Sequence, residues 1–186
     1  SALDGAIAAN AALGLMEPTG NGIGGDVFFI IWDPKTQQLY GYNGSGRAPL
    51  ERSLIDLKSQ IASLRQSGAM PEDMLGIPQR GSLPVTVPGT VDGWFAAHAR
   101  FGTLPMSDVL APTIRYAREG FPITPVIAYY FERNLNAFRD QEALIEELDN
   151  AAALWFPKGK TPKAGEVFRN PDLANTLEIL GNEGRA

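Results

Sequence analysis

The chain has 186 residues, 44% of them hydrophobic and 20% charged, which is the composition of an ordinary globular domain or a large piece of one, not of a disordered segment. A formal charge of -5 and the lack of any Lys/Arg-rich run argue against nucleic-acid binding, which needs a basic face for the phosphates. The absence of cysteine excludes disulfides, thiolate nucleophiles and cysteine-ligated zinc, and no apolar run approaches the ~18 residues of a membrane span, so no membrane role is expected of this segment.

The chain opens at Ser1-Ala2-Leu3-Asp4, already inside a helical pattern and without the basic start of a signal peptide, which suggests that residues precede it. Residues 2–16 form a small-residue helix, rich enough in alanine to pack closely on more than one face. Glu17-Pro18-Thr19-Gly20 ends it. Val27-Phe28-Phe29-Ile30-Ile31-Trp32 is continuously apolar and reads as a strand buried on both faces; residues 33–36 are turn chemistry, and residues 38–43 are the returning strand.

Helices then dominate. The spacing of Leu54, Ile55, Leu57, Ile61 and Leu64 predicts a helix over 53–66, with Ser53 at its N-cap. Residues 67–84 are a loop rich in glycine and proline. Helices follow over 90–101, closed by Gly102, and over 107–119, closed by Gly120. Thr124-Pro125 begins another that reaches Phe138, residues 141–153 form a further helix, and Asn170-Pro171 opens the last, which stops near Gly181. A two-stranded hairpin alone is marginal in water, so the apolar strand needs sheet neighbours that lie outside this chain.

Few residues carry chemistry. The cluster Gly20, Gly22, Gly24 and Gly25 follows a helix and precedes a strand, the reverse of a phosphate-binding loop, and contains no lysine; tight backbone packing is its expected use. His98 is the only histidine, so no triad or metal cluster can be assembled around it, and no metal is expected. Ser45 lacks the glycines two residues away on each side that a nucleophile elbow needs, since Asn43 and Arg47 stand there. Glu142, Glu146, Glu147 and Asp149 read as a solvated helix face, and Tyr129, Tyr130 and Phe131 as core or interface. Arg47 is different. It lies in Gly44-Ser45-Gly46-Arg47-Ala48-Pro49, where its planar guanidinium could grip a carboxylate in two places, although Glu51 is close enough to be a mere surface partner.

The run Ala2-Leu3-Asp4-Gly5-Ala6-Ile7-Ala8-Ala9-Asn10-Ala11-Ala12-Leu13-Gly14, then Glu17-Pro18 and Gly22-Ile23-Gly24-Gly25, resembles the N-terminal part of the gamma-glutamyltransferase (gamma-glutamyltranspeptidase) family. So do Gly46-Arg47-Ala48-Pro49, Val87-Pro88-Gly89-Thr90-Val91-Asp92-Gly93, Leu110-Ala111-Pro112, residues 117–122 and residues 168–174, in the family's order. The resemblance implies an α+β fold, the αββα sandwich of an N-terminal-nucleophile hydrolase, made as a precursor that cuts itself into large and small subunits. This chain is then a mostly helical part of the large subunit, carrying a β-hairpin, within a single domain spanning 1–186.

In that scheme the N-terminal threonine of the small subunit attacks the gamma-glutamyl amide of glutathione-like substrates, with its own α-amine as base, and no cofactor takes part. Arg47 matches the arginine that holds the substrate's α-carboxylate. The nucleophile, the oxyanion-hole glycines and most other contacts belong to the small subunit, the expected partner, so this segment alone holds no catalytic residue and is expected to be inactive. Ser1 stands at the first helix block and not at a subunit junction, so it is no substitute nucleophile. Gly24-Gly25-Asp26 and Ser45-Gly46-Arg47 depart from many family members, which leaves open an acylase with another acyl group or a non-catalytic binding domain of the same fold. The family suggests a periplasmic or extracellular location; the residues themselves leave the cytoplasm open.

Overall fold

The computed structural model describes residues 1–145 and 148–185. They divide into two compact units. The first comprises Ser1–Gly46, Pro88–Ile123 and the residues from Gly165 onward; the second comprises Arg47–Val87 and Thr124–Ala164.

In the first unit, helix α1 (Ala2–Met16) starts at a capping box in which the Ser1 hydroxyl accepts the Asp4 backbone N–H. Only Asp4, Ile7, Ala11 and Leu15 are buried, so α1 turns one stripe inward, not several faces as its small residues suggested. Strands β1 (Val27–Asp33) and β2 (Gln38–Gly44) form an antiparallel hairpin with Phe28 opposite Asn43, Ile30 opposite Gly41 and Trp32 opposite Leu39. Helices α3 (Thr90–Phe101), α4 (Met106–Glu119) and α7 (Pro171–Glu183) complete the unit. Their core is built from Ile7, Ala11, Trp94, Met106, Val109, Leu110 and Leu177. Each fully buried leucine there contributes roughly 1.5–3 kcal/mol of transfer free energy.

Polar pairs tie the core's edges. The Trp94 indole N–H donates to Asn10 Oδ1 at 2.8 Å, joining α3 to α1. Asp4, although buried, accepts from the Thr103 backbone N–H and, at 2.6 Å, from the Thr103 hydroxyl. The His98 ring sits 2.7 Å from the Leu104 carbonyl, which can only accept, so Nε2 carries the proton and the lone histidine serves the turn after α3.

The second unit holds α2 (Leu54–Gln66), α5 (Pro125–Asp140) and α6 (Asp149–Trp155). Both longer helices are capped as their sequences indicate, by the Ser53 and Thr124 side chains. Its buried side chains include Met70, Pro78, Leu83, Phe131, Leu144 and Phe156, while α2 buries none.

Two further expectations change. The first strand is not buried on both faces: Val27, Phe29 and Ile31 turn inward, whereas Phe28 (62%), Ile30 (76%), Trp32 (57%) and the facing Leu39 (65%) are exposed. The expected helix over 141–153 is not continuous among the described residues: a single 3-10 turn at Glu142–Leu144 is followed by an extended Ile145, and α6 begins at Asp149. Glu142 and Asp149 are exposed; Glu146 and Glu147 lie outside the described residues. Within the trio 129–131, Phe131 is buried but Tyr129 is exposed. A short antiparallel pairing, β3 (Phe121–Pro122) with β4 (Val167–Phe168), has no counterpart in the sequence reading.

Candidate functional site

The glycine segment after α1 is a hydrogen-bonded corner. The Asn21 side chain donates to the Asn10 carbonyl at 2.9 Å and accepts the Gly22 N–H at 3.0 Å. The Gly25 carbonyl then accepts both Gly89 N–H and Thr90 N–H, each at 3.0 Å, so the first donors of α3 are occupied from within the chain. The glycine segment thus gives its own carbonyl to two of the amides of the helix start, the reverse of a loop that frees amides for a phosphate. The close packing expected of the cluster is not found there: a Cβ at Gly22 or Gly24 would meet nothing within 4 Å, and one at Gly20 or Gly25 only ordinary contacts at 3.4 and 3.6 Å. The tightest approach is at Gly89, where an added Cβ would lie 2.1 Å from the Gly44 carbonyl oxygen.

That approach leads to the loop after β2. Asn43 Oδ1 accepts the Ser45 N–H at 2.9 Å, a local Asx turn, and Asp26 Oδ1 accepts the Gly46 N–H at 2.8 Å from the start of β1. The chain then enters the second unit at Arg47, whose carbonyl accepts the Val87 N–H at 2.9 Å. The Arg47 side chain is exposed and, among the described residues, makes no hydrogen bond or ion pair; the alternative partner Glu51 does not engage it. Ser45 is exposed with no base beside it among the described residues. What the loop presents is an unpaired guanidinium, the group best suited to a carboxylate.

Of these residues, Arg47 was legible in the sequence. Asp26 was not, because its partner Gly46 lies 20 positions away across the hairpin. Among the described residues no group of three or more His, Asp or Glu side chains is placed to hold a metal, and no helix is long and apolar enough to cross a membrane.

Comparison with known proteins identifies the family. A family model described as gamma-glutamyltranspeptidase matches residues 1–186. The chain is 32% identical to a glutathione hydrolase-like proenzyme of Bacillus subtilis over 187 residues, covering 100% of this chain and 32% of that protein. It is likewise 32% identical to an oxamate amidohydrolase proenzyme of Klebsiella pneumoniae over 190 residues, covering 99% of this chain and 32% of that one. The chain thus spans about a third of the length of these relatives.

Among solved structures, a cephalosporin acylase from Bacillus halodurans superposes with a TM-score of 0.84 at 36% identity, over 98% of this chain and 32% of that one. The gamma-glutamyltranspeptidase of Helicobacter pylori, at 24% identity, shares the fold with a TM-score of 0.79 over 99% of this chain and 48% of that one. The expected fold class is thereby met: α+β, a mostly helical part of an N-terminal-nucleophile hydrolase that carries a β-hairpin. By its family match and its relatives, the chain belongs to the gamma-glutamyltranspeptidase family.

Proposed function

We propose that this chain is the front part of a single gamma-glutamyltranspeptidase-like domain whose enzyme cleaves gamma-glutamyl amides such as glutathione, with Arg47 holding the substrate's α-carboxylate. The observation that carries the reading is the unpaired Arg47 guanidinium, exposed on a loop whose neighbouring amides are pinned by Asp26 and Asn43. Glutathione and oxamate, the compounds in two relatives' names, each carry a carboxylate besides the amide, and a bidentate guanidinium suits either.

The reacting atoms are assigned to the C-terminal small subunit. Its N-terminal threonine hydroxyl attacks the amide carbonyl while the threonine's own amine takes the proton; the amine product leaves, and water or an acceptor amine then takes the acyl group from the ester. Arg47 grips a part of the substrate that does not change in the reaction, so its contribution falls mainly on binding. Segment 1–186 by itself turns over no substrate. The same partner accounts for the exposed side of the hairpin: strands of the small subunit cover Phe28, Ile30, Trp32 and Leu39, which no described element of this chain covers.

A second reading has its own support. The 36% identity to a cephalosporin acylase favours an amide donor with a different acyl group, in which Arg47 would meet another carboxylate. The full-length, matured enzyme distinguishes the two. Replacing Arg47→Ala should raise KM for an L-gamma-glutamyl anilide and remove about 2–4 kcal/mol of transition-state binding. An unchanged kcat/KM removes Arg47 from the site.

A further inference from the structure

We propose that Asp26 is a positioning residue for substrate binding: its carboxylate fixes the backbone from which Arg47 projects, provided that Arg47 holds the substrate carboxylate as proposed above. Arg47 follows two glycines separated by one serine, and a glycine-rich stretch is by itself the least determined backbone a chain can offer. An arginine that must meet a carboxylate with both arms of its fork needs a fixed point of departure.

The structure supplies one. Gly46 N–H donates to Asp26 Oδ1 at 2.8 Å, and Ser45 N–H donates to Asn43 Oδ1 at 2.9 Å, so the two amides before Arg47 are both held. Asp26 is itself firmly placed. Its neighbour Gly25 is locked through its carbonyl to the start of α3, and its other neighbour Val27 pairs with Gly44 in the hairpin. Asp26 makes no ion pair among the described residues, so a salt bridge is not what occupies its charge. A carboxylate accepting a backbone N–H makes a shorter, stronger bond than a neutral acceptor does. Asn43 acts on the same loop through a bond any Asx turn can make; Asp26 reaches it from 20 residues away and ties it to the glycine corner.

The test uses the full-length, matured enzyme and two donors, an L-gamma-glutamyl anilide and the 4-aminobutyryl anilide, which is the same donor without the α-carboxylate. Asp26→Ala should lower kcat/KM about tenfold on the first donor, through KM, and leave the second unchanged, since loss of one charged hydrogen bond is worth about one decade. Asp26→Asn keeps a neutral oxygen for the Gly46 amide and should recover most of the loss on the first donor. Hydrogen exchange of the peptide spanning 44–48 should quicken in Asp26→Ala and not in Asp26→Asn.

Equal loss on both donors, loss on neither, or unchanged exchange overturns the proposal. If Arg47→Ala is selective for the carboxylate donor while Asp26→Ala is not, the positioning role falls and Arg47's role stands; if Arg47→Ala shows no selectivity, both fall. Should Asp26→Ala fail to mature, Asp26→Glu keeps the charge but carries the acceptor one methylene further. It should then raise KM for the carboxylate donor alone, and an unchanged KM overturns the proposal.

Discussion

The two units of this chain bury their apolar side chains to very different degrees. Around α1, α4 and α7 the core closes: Leu15, Leu110 and Leu177 are fully enclosed, and the small residues Ala11, Ala117 and Ala174 let the helices meet. In the second unit α2 buries nothing, and Leu50, Leu54, Ile55 and Leu75 are exposed. The hairpin repeats the contrast within one element, with Phe29 stacked on Tyr42 inside and Ile30 open on the other side. Where helices of this chain face one another the burial is complete. Where they do not, the sequence still carries the apolar residues of a core, as a surface shaped for something further would.

Substitutions can sharpen that contrast. Leu177→Ala should destabilise the first unit by about 2–5 kcal/mol, read from the urea unfolding midpoint, whereas Leu54→Ala in α2 should shift it by less than about 0.5 kcal/mol. Equal effects would erase the distinction between the units. Gly89→Ala should cost about 1–3 kcal/mol, because its Cβ would run into the Gly44 carbonyl, a backbone atom that cannot swing aside.

A pH effect should follow from Asp4. The hydroxyl and backbone N–H of Thr103, both donating to Asp4, hold its carboxyl below the usual carboxylate range. A depressed carboxyl stabilises the fold above the unfolded value of about 3.9, and that contribution is lost as pH falls through this value toward the folded one. Stability should therefore fall more steeply below pH ~4 in the wild type than in Asp4→Asn, which should also be the less stable of the two at neutral pH. A parallel pair of acid-unfolding curves would remove Asp4 from the account. The smallest effect is expected on the hairpin's open side: Ile30→Ser should leave the stability of this segment within about 0.5 kcal/mol. The same change in the full-length protein should weaken association of the two subunits, measured by their dissociation in mild denaturant.

Much of this was legible in the residues. Caps and stops marked most helices because they act within four residues: Ser53, Thr124-Pro125, Gly102 and Gly120 all stand where they should. The hairpin followed from its turn, and the residues around Arg47 mark its loop as a candidate site. What could not be read depended on distance along the chain. The β3–β4 pairing joins Phe121 to Phe168, and Asp26 meets Gly46 across the hairpin. The continuous apolarity of Val27 to Trp32 was read correctly as a strand, yet its second covered face is not formed by any described part of this chain.

The most direct test of the central claim, that this chain contributes the carboxylate anchor to a site whose nucleophile lies elsewhere, is the donor selectivity of Arg47→Ala in the full-length enzyme. The ratio of kcat/KM for the L-gamma-glutamyl anilide to that for the 4-aminobutyryl anilide should fall at least about 30-fold, the equivalent of about 2 kcal/mol. A ratio equal to that of the wild type would contradict it.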